Sequence, residues 1–153
     1  KANGETWYYH DVNSEAYIAY NTNKYMSLNL TLPQTLGIFP VVGITEGAFG
    51  SSWHSCTNIV IPKSVTYISY QAFAYNTNLL SIAIPNTVTN IGYSAFKRSN
   101  NISMIFLEEG SIFEDKHLYN DRDLTPNCKI IRTKFENGLP VIPPEGESEA
   151  ESP

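Results

Sequence analysis

Few residues in this 153-residue chain are of types that do chemistry. The thiols and imidazoles are Cys56, Cys128, His10, His54 and His117. The histidines fall in three separate stretches and share no ligand spacing, so surface or loop positions are expected rather than a metal site. The run Glu114-Asp115-Lys116-His117, with Asp121 and Asp123 nearby, is the best cation candidate. It lacks the glycine and the terminal glutamate of a calcium loop, which favours a solvated capping segment. No phosphate loop, dinucleotide fingerprint or nucleophile elbow is present. A Ser-His-Asp set is spatial and leaves no trace in spacing, but nothing singles one out. No catalytic residue, cofactor or metal is therefore assigned. Asn29-Leu30-Thr31 and Asn101-Ile102-Ser103 are glycosylation sequons, of consequence only in a eukaryotic secretory pathway.

The composition supports the same direction. Charged residues make up 16% of the chain, against a usual share of about 25%. The net charge of −5 comes mostly from Glu145, Glu147, Glu149 and Glu151; residues 1–144 carry 11 acidic against 10 basic groups. A body so near neutrality steers no polyanion, which excludes a charge-driven nucleic-acid binder. No apolar run approaches the ~18 residues of a membrane span. A chain that opens at Lys1 is expected to be processed or trimmed.

What must position any site is an internal repeat. Residues 59–73, IVIPKSVTYISYQAF, and 82–96, IAIPNTVTNIGYSAF, agree at nine of fifteen positions with a constant offset of 23. Stepping on from Ile82 and Ile84 lands on Ile105 and Leu107, then on Cys128 and Ile130. Stepping back finds VVGITEGAF at 41–49, preceded by LNLTLP at 28–33, a unit about six residues longer through QTLGIFP at 34–40. Each I-x-I slot is a short strand whose first and third residues face inward. Pro62 and Pro85 close the slots, because proline has no N–H to give a ladder. The V-x-x-I stretch returns along an opposite wall, Ala-Phe turns the corner, and Phe49, Phe73 and Phe96 are expected to stack as a buried column. Such a unit cannot bury its own apolar side, whereas stacked units can.

The stretches NIVIPKSVTYISYQAFAYN at 58–76, NLLSIAIPNTVTNIGYSAFKRS at 78–99 and FPVVGITEGAF at 39–49 resemble the BspA-type leucine-rich repeat, strongly over residues 28–107 and weakly over 108–130. The resemblance implies a β-rich leucine-rich-repeat solenoid, a right-handed superhelix of about 23-residue repeats with a parallel sheet. It also implies a secreted or cell-surface protein, often bacterial, that binds protein or host tissue, and it carries no catalytic residues. Residues 108–135 lack the IP, V-x-x-I and AF signatures and read as a degenerate terminal repeat or cap.

At the N-terminus, residues 1–27 are expected to form a β-hairpin cap from ETWYYHDVNSEAYIAY, turning at Asp11–Ser14. At the other end Asn127–Thr133 is expected as the last strand. Residues 136–153, rich in proline and glutamate, read as a tail or linker, natural or truncated. Cys56 takes the slot of Leu79 and Ile102, and Cys128 that of Ile105. About three strand spacings, roughly 14–15 Å, separate them, beyond the ~7 Å a disulfide allows.

Two surfaces are candidates for binding. The outward column of the sheet is expected to run Thr31, Val60, Ala83, Phe106 and Lys129, flanked by Asn58, Ser81, Met104 and Asn127. Val60, Ala83, Met104 and Phe106 then form an apolar strip that is either free for an extracellular protein ligand or covered by the tail or a cap. The second is Tyr70 over Tyr93, with Tyr67 and Tyr75 nearby, either a glycan-binding patch or a stacked ladder between turns. The expected function is a non-catalytic surface binding or adhesion module that recognises a protein ligand through the strand face. The alternatives are a carbohydrate-binding module and a structural spacer in a larger surface protein.

Overall fold

The computed structural model describes residues 7–21, 29–50 and 55–144. His54, the opening residues and the glutamate-rich stretch from Glu145 onward lie outside them. The elements in chain order are β1 (Trp7–Val12), β2 (Glu15–Asn21), β3 (Asn29–Thr31), β4 (Thr35–Leu36), β5 (Phe39–Ile44), β6 (Asn58–Val60), β7 (Tyr67–Ile68), β8 (Ser81–Ile84), β9 (Asn90–Ile91), β10 (Met104–Glu108), a π-helical turn (His117–Asp121), β11 (Lys129–Thr133), β12 (Phe135–Glu136) and β13 (Leu139–Pro140).

They form a solenoid with two walls. One wall has the order β11-β10-β8-β6-β3, parallel throughout. The other runs β1-β2-β5-β7-β9, with β4 paired antiparallel to β5. The repeat sets this arrangement. The I-x-I slots supply β6 and β8, and Pro62 and Pro85 follow directly after the ladders. The V-x-x-I stretches supply β7 and β9, whose Ile68 and Ile91 stand in register with Ile44 of β5. The six extra residues of the first unit form the β4–β5 hairpin, with Gly37 at φ +62° in its turn and Ile38 exposed at the tip.

Between the walls runs one apolar core. Leu30, Ile59, Ile82 and Ile105 pair across one wall and are at most 4% exposed; Ile18, Ile44, Ile68 and Ile91 do the same across the other. Phe49, Phe73 and Phe96 stack along the corner, with ring centroids 5.4 and 6.0 Å apart. Trp7 of the N-terminal hairpin closes the column edge-on at 6.1 Å from Phe49. The corner backbone repeats too. Gly47, Gln71 and Ser94 all adopt positive φ, and the amides of Phe49 and Phe73 donate to Ala72 and Ala95 of the next coil.

Below the corner a polar ladder replaces the apolar one. The side-chain amide of Asn76, fully buried, donates to the Phe49 carbonyl at 3.1 Å, and its oxygen accepts from the amides of Asn78 and Leu79. Ser99, one repeat on, accepts from the Asn76 amide and donates to the Phe73 carbonyl. Each coil end is thereby tied to its neighbour by a side chain, as buried backbone groups require.

Gly92 is needed for close stacking. A Cβ there would lie 2.4 Å from the Tyr70 backbone nitrogen, an atom that moves only with its coil. Gly92→Ala is expected to cost about 1–3 kcal/mol through that overlap, read as a lowered urea midpoint at unchanged m. Gly47→Ala, with open space around its Cβ, serves as the comparison that isolates backbone strain at positive φ.

Each end of the stack carries an irregular stretch. Asn13 and Ser14, both at positive φ, make the tight turn of β1–β2, and β2 adds parallel to β5. A bulge between Tyr8 and Tyr9 interrupts the strand, and Tyr8 and Tyr9 are both exposed while Trp7 is buried. In the terminal unit, the π-helical turn takes the place of a further strand beside β9, and Phe113, Leu118 and Leu124 fill the core end. Arg122 sits where the earlier coils place alanine: its carbonyl accepts from Phe96, and its Nε donates to the Ile91 carbonyl at 2.9 Å. That side chain supplies a donor to β9 that a next strand would otherwise give.

Three sequence expectations are corrected here. The last step of the first wall is 25 residues, not 23, because the π-helical turn lengthens the terminal unit. Ile130 therefore pairs with Ile105, Ile131 with Phe106 and Lys129 with Met104. Lys129 leaves the Phe106 row, Asn127 lies before β11, and Cys128 precedes the Ile105 slot instead of filling it. Finally, residues 136–140 are not tail: with Phe135 they form the β12–β13 hairpin around Asn137 and Gly138, both at positive φ.

Candidate functional site

The solenoid presents two outward surfaces, one on each wall. On the first wall, the register lines up Thr31, Val60, Ala83, Phe106 and Ile131 in one row and Asn29, Asn58, Ser81, Met104 and Lys129 in the next. The second row is polar and self-bonded. Asn58 donates to Asn29 Oδ1 and accepts from Ser81 Oγ, both at 2.6 Å, while Met104 and Lys129 stand exposed at its end.

The middle of the first row is covered. Phe106 is 7% and Ala83 3% exposed, although both point away from the core. The cover is the β12–β13 hairpin. It leaves β11 at Thr133, and its turn residues Asn137 and Gly138, with Leu139, line one cleft with Thr31, Gln34, Val60, Pro62 and Lys63. The hairpin thus reaches from the end of β11 to the β3–β6 side of the same wall. Of the strip Val60, Ala83, Met104 and Phe106, Ala83 and Phe106 are buried, Val60 is half-buried and Met104 is exposed. Phe106 and Ala83 do not meet solvent.

Beside this row, Lys63 pairs with Glu108 at 3.0 Å, and Glu108 also accepts from the Asn86 amide at 2.9 Å. Three successive coils are thus clamped around one buried carboxylate. No signal in the repeat marks this contact, because Glu108 stands after the last recognisable slot.

The second wall stays open. Its outward row reads His10, Tyr17, Gly43, Tyr67 and Asn90. The Tyr17 ring lies over Gly43, where a Cβ would come within 2.4 Å of it, and its hydroxyl donates to Glu15 at 3.1 Å. That hydrogen bond, with burial and the carboxylate charge, holds the Tyr17 hydroxyl above its ordinary pKa. Tyr70 and Tyr93 follow at equivalent places in adjacent coils, joined by the Gln71 amide donating to the Tyr93 carbonyl. Tyr67, Tyr70 and Tyr93 are 38%, 44% and 69% exposed. The Arg122 guanidinium stands 5.6 Å from the Tyr93 ring centre, which orients that ring by a cation–π contact. Tyr75 is exposed as well but lies past the Ala72–Phe73 corner. The sequence brought these four together by spacing; Tyr17 and Arg122, which complete the surface, come from the two irregular ends.

Three carboxylates of the terminal unit have structural partners. Glu114 pairs with Lys116, Asp115 with Arg132 and Asp121 with Arg122. Cys56 and Cys128 are buried thiols outside any disulfide. Burial pushes the Cys128 thiol up to about 11, so it carries almost no thiolate at pH 8. Since the thiolate is the nucleophile, the native protein is expected to resist maleimide or aromatic disulfide reagents at pH 8, and to react at both cysteines once unfolded in guanidinium. Labelling of the native protein followed by mass measurement checks this.

Among the described residues no helix is long and apolar enough to cross a membrane. No curated protein matches the chain. Among solved structures it is similar to a leucine-rich-repeat protein of T. pallidum, at 17% identity over 81% of this chain and 78% of that one, with a TM-score of 0.40. The family model for the BspA type leucine rich repeat region matches residues 42–137, in six copies. These copies span more than half of the sequence and coincide with the stacked coils described above. The chain belongs to the BspA-type leucine-rich-repeat family.

Proposed function

We propose that the domain is a non-catalytic binding module of the cell surface or extracellular space, and that it takes a protein ligand on the tyrosine wall. Leucine-rich-repeat domains are protein-interaction modules, and the open question is which face this one uses. The observation that carries the reading is the exposure of Tyr67, Tyr70 and Tyr93 on adjacent coils, against the burial of Phe106 and Ala83. Tyrosines held by a rigid scaffold offer large contact area at little entropic cost, and tyrosine and arginine are the residues most enriched at energetic centres of interfaces. Tyr93 backed by Arg122 is such a pair.

The test is binding of the full chain to immobilised extracellular-matrix proteins and to glycans, with Tyr93→Ala and Phe106→Ser beside the wild type. A protein ligand is expected, with affinity reduced about 30-fold by Tyr93→Ala, the effect of about 2 kcal/mol at a hot spot. Phe106→Ser is expected to leave that affinity within threefold. The same tyrosines suit stacking on sugar rings, so a glycan ligand lost on Tyr93→Ala makes the module a carbohydrate binder. Absence of binding by a folded wild type makes it a spacer.

A further inference from the structure

The first wall ends at β11, which pairs with β10 on one side only. We propose that a second copy of this chain pairs with it there, β11 to β11, antiparallel about a two-fold axis at Ile131. The first walls of the two copies then form one continuous sheet. This association uses no part of the tyrosine wall.

The ladder decides which groups the edge presents. The Lys129 amide donates to the Ser103 carbonyl, and the Thr133 carbonyl accepts from the Glu109 amide, both at 2.9 Å. Lys129, Ile131 and Thr133 therefore turn their main chain to β10, and the residues between them, Ile130 and Arg132, turn theirs away. The outward carbonyl before these, that of Cys128, takes the Tyr119 hydroxyl at 2.6 Å. Among the described residues nothing does the same for the main chain of Ile130 or Arg132. On the second wall, by contrast, the Arg122 side chain donates to β9. An unpaired row of main-chain groups is a template for another strand, and there is room for one. A groove of about 560 Å³ runs beside β11, lined by Asp115, Tyr119, Pro143 and the strand itself. Pro143 has no N–H with which to complete the ladder.

The edge fits its own copy in one register. In an antiparallel pair, the residues that exchange main-chain bonds must both face the partner. Within β11 that allows a centre at Ile130, Ile131 or Arg132. A centre at Ile130 calls on the Cys128 carbonyl, which Tyr119 already occupies. A centre at Arg132 sets two guanidinium groups opposite each other, and like charges so placed are destabilising. The centre at Ile131 has neither fault. There Ile130 of one copy exchanges both main-chain bonds with Arg132 of the second, and the axis repeats them. Ile131 faces Ile131, and Lys129 faces Thr133. Arg132 brings its own counter-charge, Asp115 at 2.7 Å. The apolar outward row Ala83, Phe106 and Ile131 also continues across the axis into the same row of the second copy. Such a contact is isologous and closes at two copies.

The experiment is sedimentation of the full chain from micromolar to millimolar concentration, beside Ile131→Lys, Ile131→Glu and an equal mixture of the two. The wild type is expected to pass from monomer to dimer as concentration rises. Each variant alone sets like charges on the axis and is expected to dimerise more weakly by about tenfold or more. The mixture, with opposite charges there, is expected to recover the dimer. A wild type that stays monomeric overturns the proposal. So does a dimer that both variants keep at full strength, or a mixture no stronger than its components. If the variants do not fold, amide exchange of the wild type decides. Exchange at Ile130 and Arg132 should slow by about tenfold or more between dilute and concentrated samples, whereas Ile131, already in the β10 ladder, should not change. Absence of slowing at those two edge amides overturns the proposal. Binding at the tyrosine wall is read separately through Tyr93→Ala, so failure here leaves that reading standing.

Discussion

Phe73→Ala is expected to destabilise the domain by about 3–5 kcal/mol, which for a chain of this size lowers Tm by about 10 °C. Phe73 is fully buried and is stacked on both sides, by Phe49 at 5.4 Å and Phe96 at 6.0 Å. Its removal leaves a cavity in the middle of the column that neither neighbour can fill without leaving its own coil, because each corner is pinned by backbone hydrogen bonds to the next. In a linear stack, stability is close to a sum of units and nearest-neighbour interfaces, and this one residue serves two interfaces at once. The matched control is Ile38→Ser at the exposed tip of the β4–β5 hairpin, expected within about 0.5 kcal/mol of wild type. Equal losses for the two variants in urea unfolding would show that the column is not where the stability resides.

Asn76→Leu is the second. The substitution conserves approximate volume and increases apolarity at a fully buried position, so a view based on hydrophobicity alone predicts a gain. The opposite is expected, a loss of about 3 kcal/mol or more. The Phe49 carbonyl loses its donor and the amides of Asn78 and Leu79 lose their acceptor, and each buried group left without a partner costs about 1–3 kcal/mol. Ser99→Ala, which removes the acceptor of the Asn76 amide and the donor to Phe73, is expected to lose about half as much. Urea unfolding of both variants gives the ordering. A stabilised Asn76→Leu would mean that water replaces the side chain there.

How far the sequence carried the fold follows from where the offset stayed constant. Ile59, Ile82 and Ile105 are separated by 23 residues each, and every structural feature that repeats with them was legible: the slots, the closing prolines, the phenylalanine column and the outward row as far as Phe106. Register failed at Lys129 because a π-helical turn adds two residues between the fourth and fifth strands, and no pattern of apolar residues announces such a turn. The β12–β13 hairpin was missed for a different reason. Asn137-Gly138 is a strong hairpin-turn signal, but it lies among prolines whose composition argued for a tail. Whether the Phe106 row is open or closed was never a local property. It depends on where a segment about thirty residues downstream folds back, and only the assembled structure supplies that. The tyrosines were easier to place, since Tyr70 and Tyr93 are one repeat apart, while Tyr17 and Arg122 belong to the unrepeated ends.

The phenylalanine rings also set a direction. Successive rings are inclined to each other by 14° and 15°, and their centroids are spaced more widely than the 4.7–4.9 Å between paired strands. The rings thus stack in nearly parallel planes, one to a coil. Because the coils pair in constant register, the place of any exposed side chain along the stack is fixed by how many coils separate it from the N-terminal cap. Insertion or loss of a single 23-residue unit between the cap and Tyr93 would leave the local surface intact and shift it by one strand spacing, about 4.8 Å, which makes repeat number a heritable setting for reach.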